Sequence, residues 1–577
     1  MRNVHSDTWV ATDALGRKLP TYDECGPKKE DRFVGMFYFI THNDPDALGP
    51  FNVSKIIAKN PENPKWGSGS HYWGEPEIGY YLNQEEWAIR RHALQLTDAG
   101  VDVIIIDVTN NKTYFEVYST ICKVFKKMRR EGERTPDIAF LGSEISVNTL
   151  WEEFYSKGRY KDLWFIWKGK PLLLYGQHEQ PQRHLINDIK FSEEIENFFT
   201  LKQSWAWTSL PWYEEGQDEW PWIDHYPQAI SWHNDPSEKE MVPVAVAQHP
   251  LSNMGRSFHN FHQPELNEFD LTPVTNNGLF FQEQWKRALE VDPEFVFVTG
   301  WNEWSAGRQT IRFNVSKELQ QWKFYPGAHL GKVGKKLHLG DSYFIDQYNQ
   351  EYSRDIEPMK GGHTDNYYYQ LMANIRKYKG VEKPSSQTFK DIDLYENFEQ
   401  WEDIESIYYD HIGDTEHRHS QKQGNAGSYT DTKGRNDFEL AKVAHNNTSV
   451  FFYIKTTNDI SSNTDPYWML LLIDTDQNPN TGWNGYDLLI NNGVKNENTT
   501  SLKTYHPNKG WVFVENIMYK KEGNQLMLEV PQKIFKSTKD HLSFDFHWVD
   551  HPSALKTIDD LIQAGDNAPS RRANYRY

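Results

Sequence analysis

The sequence predicts an α/β protein: a (β/α)8 TIM barrel followed by an all-β sandwich domain. Three observations carry this expectation. From Phe33 onward, short β-branched or aromatic runs alternate with amphipathic stretches, the pattern of repeated βα units. Beyond the Pro-Ser-Ser stretch between Lys383 and Gln387, helical periodicity gives way to alternating runs and turns. Finally, 577 residues exceed one ordinary core and accommodate a barrel with a smaller companion. The expected boundaries are 1–382 for the barrel, 383–392 for a linker and 393–577 for the sandwich.

The expected barrel strands, in order, are "FVGMFYFI" from Phe33, "VDVIIID" from Val101, "DIAFLGS" from Asp137, "PLLLYG" from Pro171, "FFTLKQSWA" from Phe198, "VPVAVAQH" from Val242, "EFVFVTGW" from Glu294 and "SYFIDQYN" from Ser342. They are apolar on both faces, as strands covered on both sides must be. Between them, "NQEEWAIRRHALQLTDAG" reads as a helix capped by Asn83 and stopped by Gly100, and "TYFEVYSTICKVFKKMRREG" as another. The clearest sandwich strands are "SVFFYIKTT", "YWMLLLIDTD", "YDLLINNG", "WVFVENIMYK" and "NQLMLEVPQ".

Composition narrows the function classes. Asp and Glu outnumber Lys and Arg by 81 to 62, a formal charge of -19 that repels nucleic-acid phosphates and acidic membrane surfaces. The basic run "KKMRREGER" at Lys126–Arg134 reads as a solvated helix end. No apolar run approaches the roughly 18 residues of a membrane span. With only Cys25 and Cys122, neither a disulfide framework nor a cysteine metal site is expected. The start "MRNVHSDTWVATDALGRKLP" has no apolar signal core, so the expectation is a periplasmic, cell-surface or secreted protein whose signal was removed, with the cytoplasm as the other reading. Aromatics reach 15% of the chain, with 22 Trp, and many crowd the loop-like "KQSWAWTSLPWYEEGQDEWPWIDHYP". Indole faces beside N–H donors suit sugar rings.

In a barrel, chemistry gathers at the C-terminal strand ends. Those ends offer His42, Asp107, Asn110, Glu144, His178, Trp205, Trp207, His249, Trp301, Asn302, Glu303, Asp346 and Tyr348. Acids, amides, histidines and indoles, with no phosphate-cradling glycine loop and no HExxH, point to carboxylate chemistry on a neutral polar substrate. Cleaving a glycosidic bond takes that inventory: one carboxyl protonates the leaving oxygen, and another attacks or activates water. Glu303 is the first candidate, between Trp301 and Trp304, whose walls would raise its pKa, with Asn302 fixing a substrate hydroxyl. Asp107 and Glu144 are the expected partner acids, ahead of Asp224 and Glu351. Trp301, Asn302, Trp304, Trp207, His178, His249 and Asn110 are the expected substrate contacts. The histidines have no metal-ligand spacing, and no catalytic metal or cofactor is expected.

The stretch "GWNEWSAG" resembles the N-E-W-x-x-G strand-end motif of the glycoside hydrolase family 99 and family 71 superfamily, which includes endo-α-mannosidases and α-1,3-glucanases, and of WbsX-type polysaccharide proteins. Asn302, Glu303, Trp304 and Gly307 match its letters. The resemblance implies an α-linkage and endo-action on a polysaccharide or complex glycan in a bacterial setting. The second catalytic glutamate of the family-99 motif falls on Ala306, so the partner acid must come from elsewhere or be missing. The different-class alternative is therefore a non-catalytic glycan-binding protein on a degenerate barrel. A third option, a WbsX-type protein associated with glycosyl transfer, is disfavoured by the missing nucleotide-phosphate loop.

Further on, "LLIDTDQNPNTGWNGYDLLIN" resembles the family 9 carbohydrate-binding module or the DOMON sandwich. Asp474, Asp476 and Asn478 have the oxygen spacing of a structural calcium loop or of an Asp/Asn turn. Trp483 and Tyr486 read as a sugar platform or as packing residues.

Overall fold

The structure is a computed structural model describing residues 2–60, 64–176, 189–206, 216–247, 272–310, 340, 342–344, 347–535, 542–562 and 565–577. Seven parallel strands build its first sheet: β1 (Phe33–Tyr38), β2 (Val103–Val108), β3 (Asp137–Gly142), β4 (Lys170–Tyr175), β5 (Thr200–Gln203), β6 (Met241–Ala245) and β7 (Phe295–Thr299). Their order is β5-β4-β3-β2-β1-β7-β6. Strand alternation sorts the side chains. Phe37, Val103, Ile105, Leu141, Leu172 and Phe297 share one cluster with Trp167 and Trp220. The intervening Met36, Ile104, Ile106, Phe140 and Val298 join the larger cluster formed with the helices.

The helices that follow include α1 (Glu86–Ala99), α2 (Phe115–Glu131), α3 (Glu144–Leu150), α4 (Leu279–Val291) and α5 (Asn366–Lys379). Helix α1 stops as expected at Gly100, whose left-handed φ of 85° lets its N–H reach the carbonyls of Leu96 and Thr97. Its start differs. Glu85 is the N-cap without a side-chain bond, and the Asn83 amide instead accepts the His42 N–H and donates to the Phe39 carbonyl.

The expected strand at Ser342 is not part of this sheet. Ser342–Phe344 pairs antiparallel with Arg308–Thr310, and Phe344 sits in a satellite cluster with Val53, Ala306, Tyr348 and Tyr352. A short apolar run carries no signal of which core it serves. Instead, irregular chain links β5 to β6. The Gln203 N–H donates to the Asp218 carbonyl at 2.8 Å, the Asp218 N–H to that of Trp232 at 2.8 Å, and the Ser231 N–H to that of Met241 at 2.9 Å. Hydrogen bonds thus run around the sheet as a ring, seven strands being regular and the last positions irregular.

Glu240 anchors this irregular arc. Its carboxylate, 3% exposed, lies 2.8 Å from Lys202 Nζ and accepts from the indole N–H groups of Trp167 at 2.9 Å and Trp220 at 3.1 Å. Four separate segments meet on one buried charge.

The antiparallel part comprises β8 (Ile407–Tyr409), β9 (Phe438–His445), β10 (Ser449–Thr456), β11 (Leu470–Asp474), β12 (Leu488–Ile490), β13 (Thr499–His506), β14 (Gly510–Glu522), β15 (Gln525–Pro531), β16 (Asp545–Asp550) and β17 (Asp566–Ala568). Their order is β8-β9-β10-β15-β14-β13-β12-β11-β16-β17. The long β14 pairs with β13 through its first part and with β15 through Tyr519–Glu522, so it belongs to both halves. Phe452, Ile454, Leu471, Leu528, Phe546 and Trp548 from the two halves share one core, as in a sandwich. Arg571 pairs with Glu77 at 2.5 Å and Arg418 with Glu85 at 2.5 Å, clamping this part onto the parallel sheet's helices and loops. No described helix is long and apolar enough to cross a membrane.

Replacing Glu240 by Ala leaves the buried Lys202 ammonium with Asp218 as its remaining carboxylate and strands two buried indole N–H groups. Urea unfolding should show a loss of about 3–5 kcal/mol; a loss within experimental error would mean the arc closes without it.

Candidate active site

Strand β7 delivers the chain into Gly300–Trp304, and each residue there has a distinct task. The Trp301 indole is fully buried and packs edge-on against His92 at 5.7 Å and Tyr368 at 6.1 Å. Asn302, also fully buried, accepts the Phe39 N–H at 2.8 Å and donates to the Phe39 carbonyl at 3.0 Å and the Tyr81 hydroxyl at 3.2 Å. It acts as a strand partner that continues β1. The Trp304 ring stacks on Trp73 at 4.4 Å and 15°, and its N–H donates to Glu357 at 2.5 Å. These three side chains have no surface to offer a sugar. Their expected role as substrate contacts is corrected: they are scaffold.

Glu303 is left as the motif acid that is not fully buried. Its backbone is held at both ends, the N–H by the Asp355 carboxylate and the carbonyl by the Trp73 indole N–H at 2.8 Å. The segment Asp355–Glu357 runs alongside. The Ile356 N–H donates to the Gly300 carbonyl at 3.1 Å, and the Glu357 N–H to that of Trp301 at 2.9 Å.

Glu357 is the hub beneath. Besides Trp304, it accepts from the Tyr81 hydroxyl at 2.8 Å, and His92 Nε2 lies 3.0 Å away, with His92 Nδ1 2.7 Å from the Tyr38 hydroxyl. Asp355, 4% exposed, has its carboxyl pushed up to about 7 by burial first, with the Glu357 charge adding and the N–H groups of Glu303 and Gly300 opposing. Gly300 lets this contact form closely, since a Cβ would stand 3.1 Å from Asp355 Oδ1 and push that carboxylate back. Both acids lie in "SRDIEP", where the sequence shows no periodicity.

Ala306 is 3% exposed in the satellite cluster with Val53, Phe344, Tyr348 and Tyr352, and its backbone pairs with His71, so position 306 packs into this cluster.

Asp107 lies on β2 in phase with Val103 and Ile105, the residues of the inner cluster, so its side chain follows them toward the strand's C-terminal end. It is 6% exposed and accepts the Thr109 N–H at 3.0 Å. Exposed Asn110 hydrogen-bonds Tyr114, whose phenol is raised by burial, with the Asp107 charge adding. Glu144 is placed differently, as the exposed first residue of α3 behind the Ser143 cap, where its charge suits the helix dipole. Asp224 is fully buried and accepts the N–H groups of His225 and Ala229, anchoring its loop. Glu351 accepts from the Thr275 hydroxyl at 3.2 Å. His178, Trp207, His249 and Asp346 lie outside the described residues.

Trp222 adds an aromatic face that was not singled out from its loop. Half-buried, it stacks on Phe37 at 5.2 Å and 16°. His42 is held neutral, its pKa brought down to about 3 by burial and then by His92.

In the antiparallel part, Asp474 accepts the N–H groups of Asp476 at 3.2 Å and Asn478 at 3.3 Å, the bonding of an Asx turn. Its carboxylate groups with those of Asp476 and Asp487, while Asn478 accepts the Asn480 N–H. Trp483 is 7% exposed and Tyr486 2%, the latter donating to Asn574 at 2.6 Å, so both are packing residues.

Asp355 supplies a pH signature. Its carboxyl holds a proton to about 7 when folded and to 3.8 when free, so the folded state binds the extra proton and stability drains away as pH climbs between those values. Asp355→Asn should flatten that decline in urea midpoints measured from pH 4 to 8. Parallel curves for variant and parent would contradict the placement.

No protein-family model matches the chain, and no curated protein does. Among solved structures, the chain is similar to the GH99 endo-alpha-mannosidase from Bacteroides thetaiotaomicron, at 12% identity over 60% of this chain and 98% of that one, with a TM-score of 0.32. A structure of that enzyme with bis-tris propane matches at 14% identity over 61% and 98%, with a TM-score of 0.33. A glycoside hydrolase-like protein matches at 12% identity over 64% and 98%, with a TM-score of 0.31.

Proposed function

We propose that the chain is a glycoside hydrolase built on a (β/α)8-type barrel, cleaving a glycosidic bond in a polysaccharide or complex glycan by carboxylate acid–base chemistry. One observation carries the reading: the N-E-W turn commits every other large side chain to the core and fixes the backbone of Glu303 at both N–H and carbonyl just past the C-terminal end of β7, where this reading puts its carboxylate at the mouth. A backbone held in this way is what a reacting group needs.

Asp107 is the partner this reading favours. Strand β1 alone separates β2 from β7, so the two backbones stand about 10 Å apart by strand spacing. Side chains reaching into one mouth then fall near the roughly 5–9.5 Å separations at which paired carboxyls hydrolyse glycosides. One protonates the leaving oxygen, and the other attacks the anomeric carbon or activates water. Asp355 is a positioning residue, since it touches the backbone of Glu303. Trp222, stacked on Phe37, offers an apolar wall for a sugar face. The α-linkage and endo-action rest on the motif's resemblance alone. A polymeric substrate fits a periplasmic, cell-surface or secreted location.

Release of reducing ends from a panel of polysaccharides tests this. Glu303→Gln should lower kcat/KM by roughly 10²–10⁴-fold while leaving glycan affinity within a few-fold of the parent. A parent that binds glycans but turns over none would establish the non-catalytic binder instead.

A further inference from the structure

A second acidic constellation lies apart from the mouth, where β8, β9 and β17 meet the helices of the parallel sheet. We propose that Asp410, Asp414, Asp437 and Asp566 form a binding site for a hard divalent cation of calcium size. Carboxylate oxygens of Asp414, Asp437 and Asp566 lie within 4.8 Å of one another, the span across a cation bonded at about 2.4 Å. Asp410 lies outside that span but near enough for its charge to act on Asp566 and for that of Asp414 to act on it. It is 0% exposed, and both of its oxygens are buried without a partner in hydrogen-bonding geometry. Asp414 Oδ1 is likewise buried without a partner.

Carboxylates in this state are costly unless protonated or bound to a cation. No Lys or Arg forms an ion pair with any of the four among the described residues. The nearby cations act on the cluster through charge, with their hydrogen bonds made elsewhere. His411 is held between Asp98 at 2.9 Å and Glu133 at 2.7 Å, Arg90 bonds Glu131 at 2.7 Å and the Ile412 carbonyl at 2.6 Å, and Arg91, whose charge acts on Asp414, donates to the Ile562 carbonyl at 3.2 Å. Arg2 donates to the backbone carbonyls of Asp410 at 2.8 Å and Glu439 at 2.5 Å. Burial first, then the neighbouring carboxylates, pushes Asp410 and Asp566 well above the usual range and Asp414 up to about 7. An all-oxygen donor set selects calcium or magnesium over softer metals, and the spacing favours the larger ion.

The remaining bonds show what the ion would join. Asp437 accepts the Gly413 N–H at 2.9 Å and the Thr457 hydroxyl at 3.0 Å, and Asp566 accepts the Phe438 N–H at 2.6 Å. A cation here ties the 410–414 loop, the start of β9 and the start of β17 together. That loop carries His411 between Asp98 in the last turn of α1 and Glu133 just after α2, so the ion braces the docking of the antiparallel part.

The experiment is calcium titration of the EDTA-stripped full chain by calorimetry, with melting temperature followed in parallel. The parent should show a calcium-dependent rise in Tm that grows with the logarithm of free calcium. Asp410→Asn/Asp414→Asn should weaken calcium binding on the order of 100-fold or more and abolish the rise. In EDTA it should melt no lower than the parent, because like charges have been removed; Asp414→Asn alone provides a milder variant with the same expected sign. Asp476→Asn, at the other acidic group, should leave both responses in place. No heat and no shift in the parent, retention of both in the double variant, or their loss only in Asp476→Asn would overturn the assignment.

Discussion

The candidate site depends on one buried carboxylate. Glu357 gathers the Trp304 indole, the Tyr81 hydroxyl and His92 around a single charge, and its own N–H closes on the Trp301 carbonyl. Each partner belongs to a different part of the chain, so the position of the turn after β7 is set by a polar network sealed from water. A satisfied network of this kind rigidifies what it touches. Asn302 extends the constraint to β1 by pairing with both backbone groups of Phe39. The turn is thus fixed to the neighbouring strand on one side and to Asp355–Glu357 on the other, and Glu303 is what this frame presents.

Closure of the parallel sheet uses a related device. Where the described residues between β5 and β6 form no regular strand, Glu240 collects Lys202 and two indole N–H groups. An ammonium and a carboxylate buried together, with hydrogen bonds filling their remaining valences, let irregular backbone hold a place that strand pairing holds elsewhere. The strong excess of acids in the composition is in part internal. Glu240, Asp355, Glu357 and the four aspartates beside His411 are each almost entirely enclosed or packed against enclosed partners.

Much of the architecture was legible in the sequence because it rests on local pattern. Strands β1 to β7 are apolar on both faces and bounded by turn residues, and the main strands of the antiparallel part alternate clearly. Three things were not legible. The run at Ser342 is as apolar as a barrel strand, and only its packing against Val53 and Ala306 shows that it serves another cluster. The indoles flanking Glu303 look like ligand-binding rings in sequence, since composition cannot say which way an aromatic points; in space they face Trp73, His92 and Tyr368. Asp355 and Glu357 were hidden for a further reason. They act on a strand end some fifty residues earlier, and pairing between distant irregular segments leaves no periodicity to read.

The central claim is that the Glu303 and Asp107 carboxyls share one mouth across β1. A crystal structure with a bound, uncleaved oligosaccharide measures this directly. The account predicts the two carboxyl groups about 5–9.5 Å apart, flanking one glycosidic oxygen; a Glu303 side chain turned away from the sugar, or no second acid within that span, would contradict it.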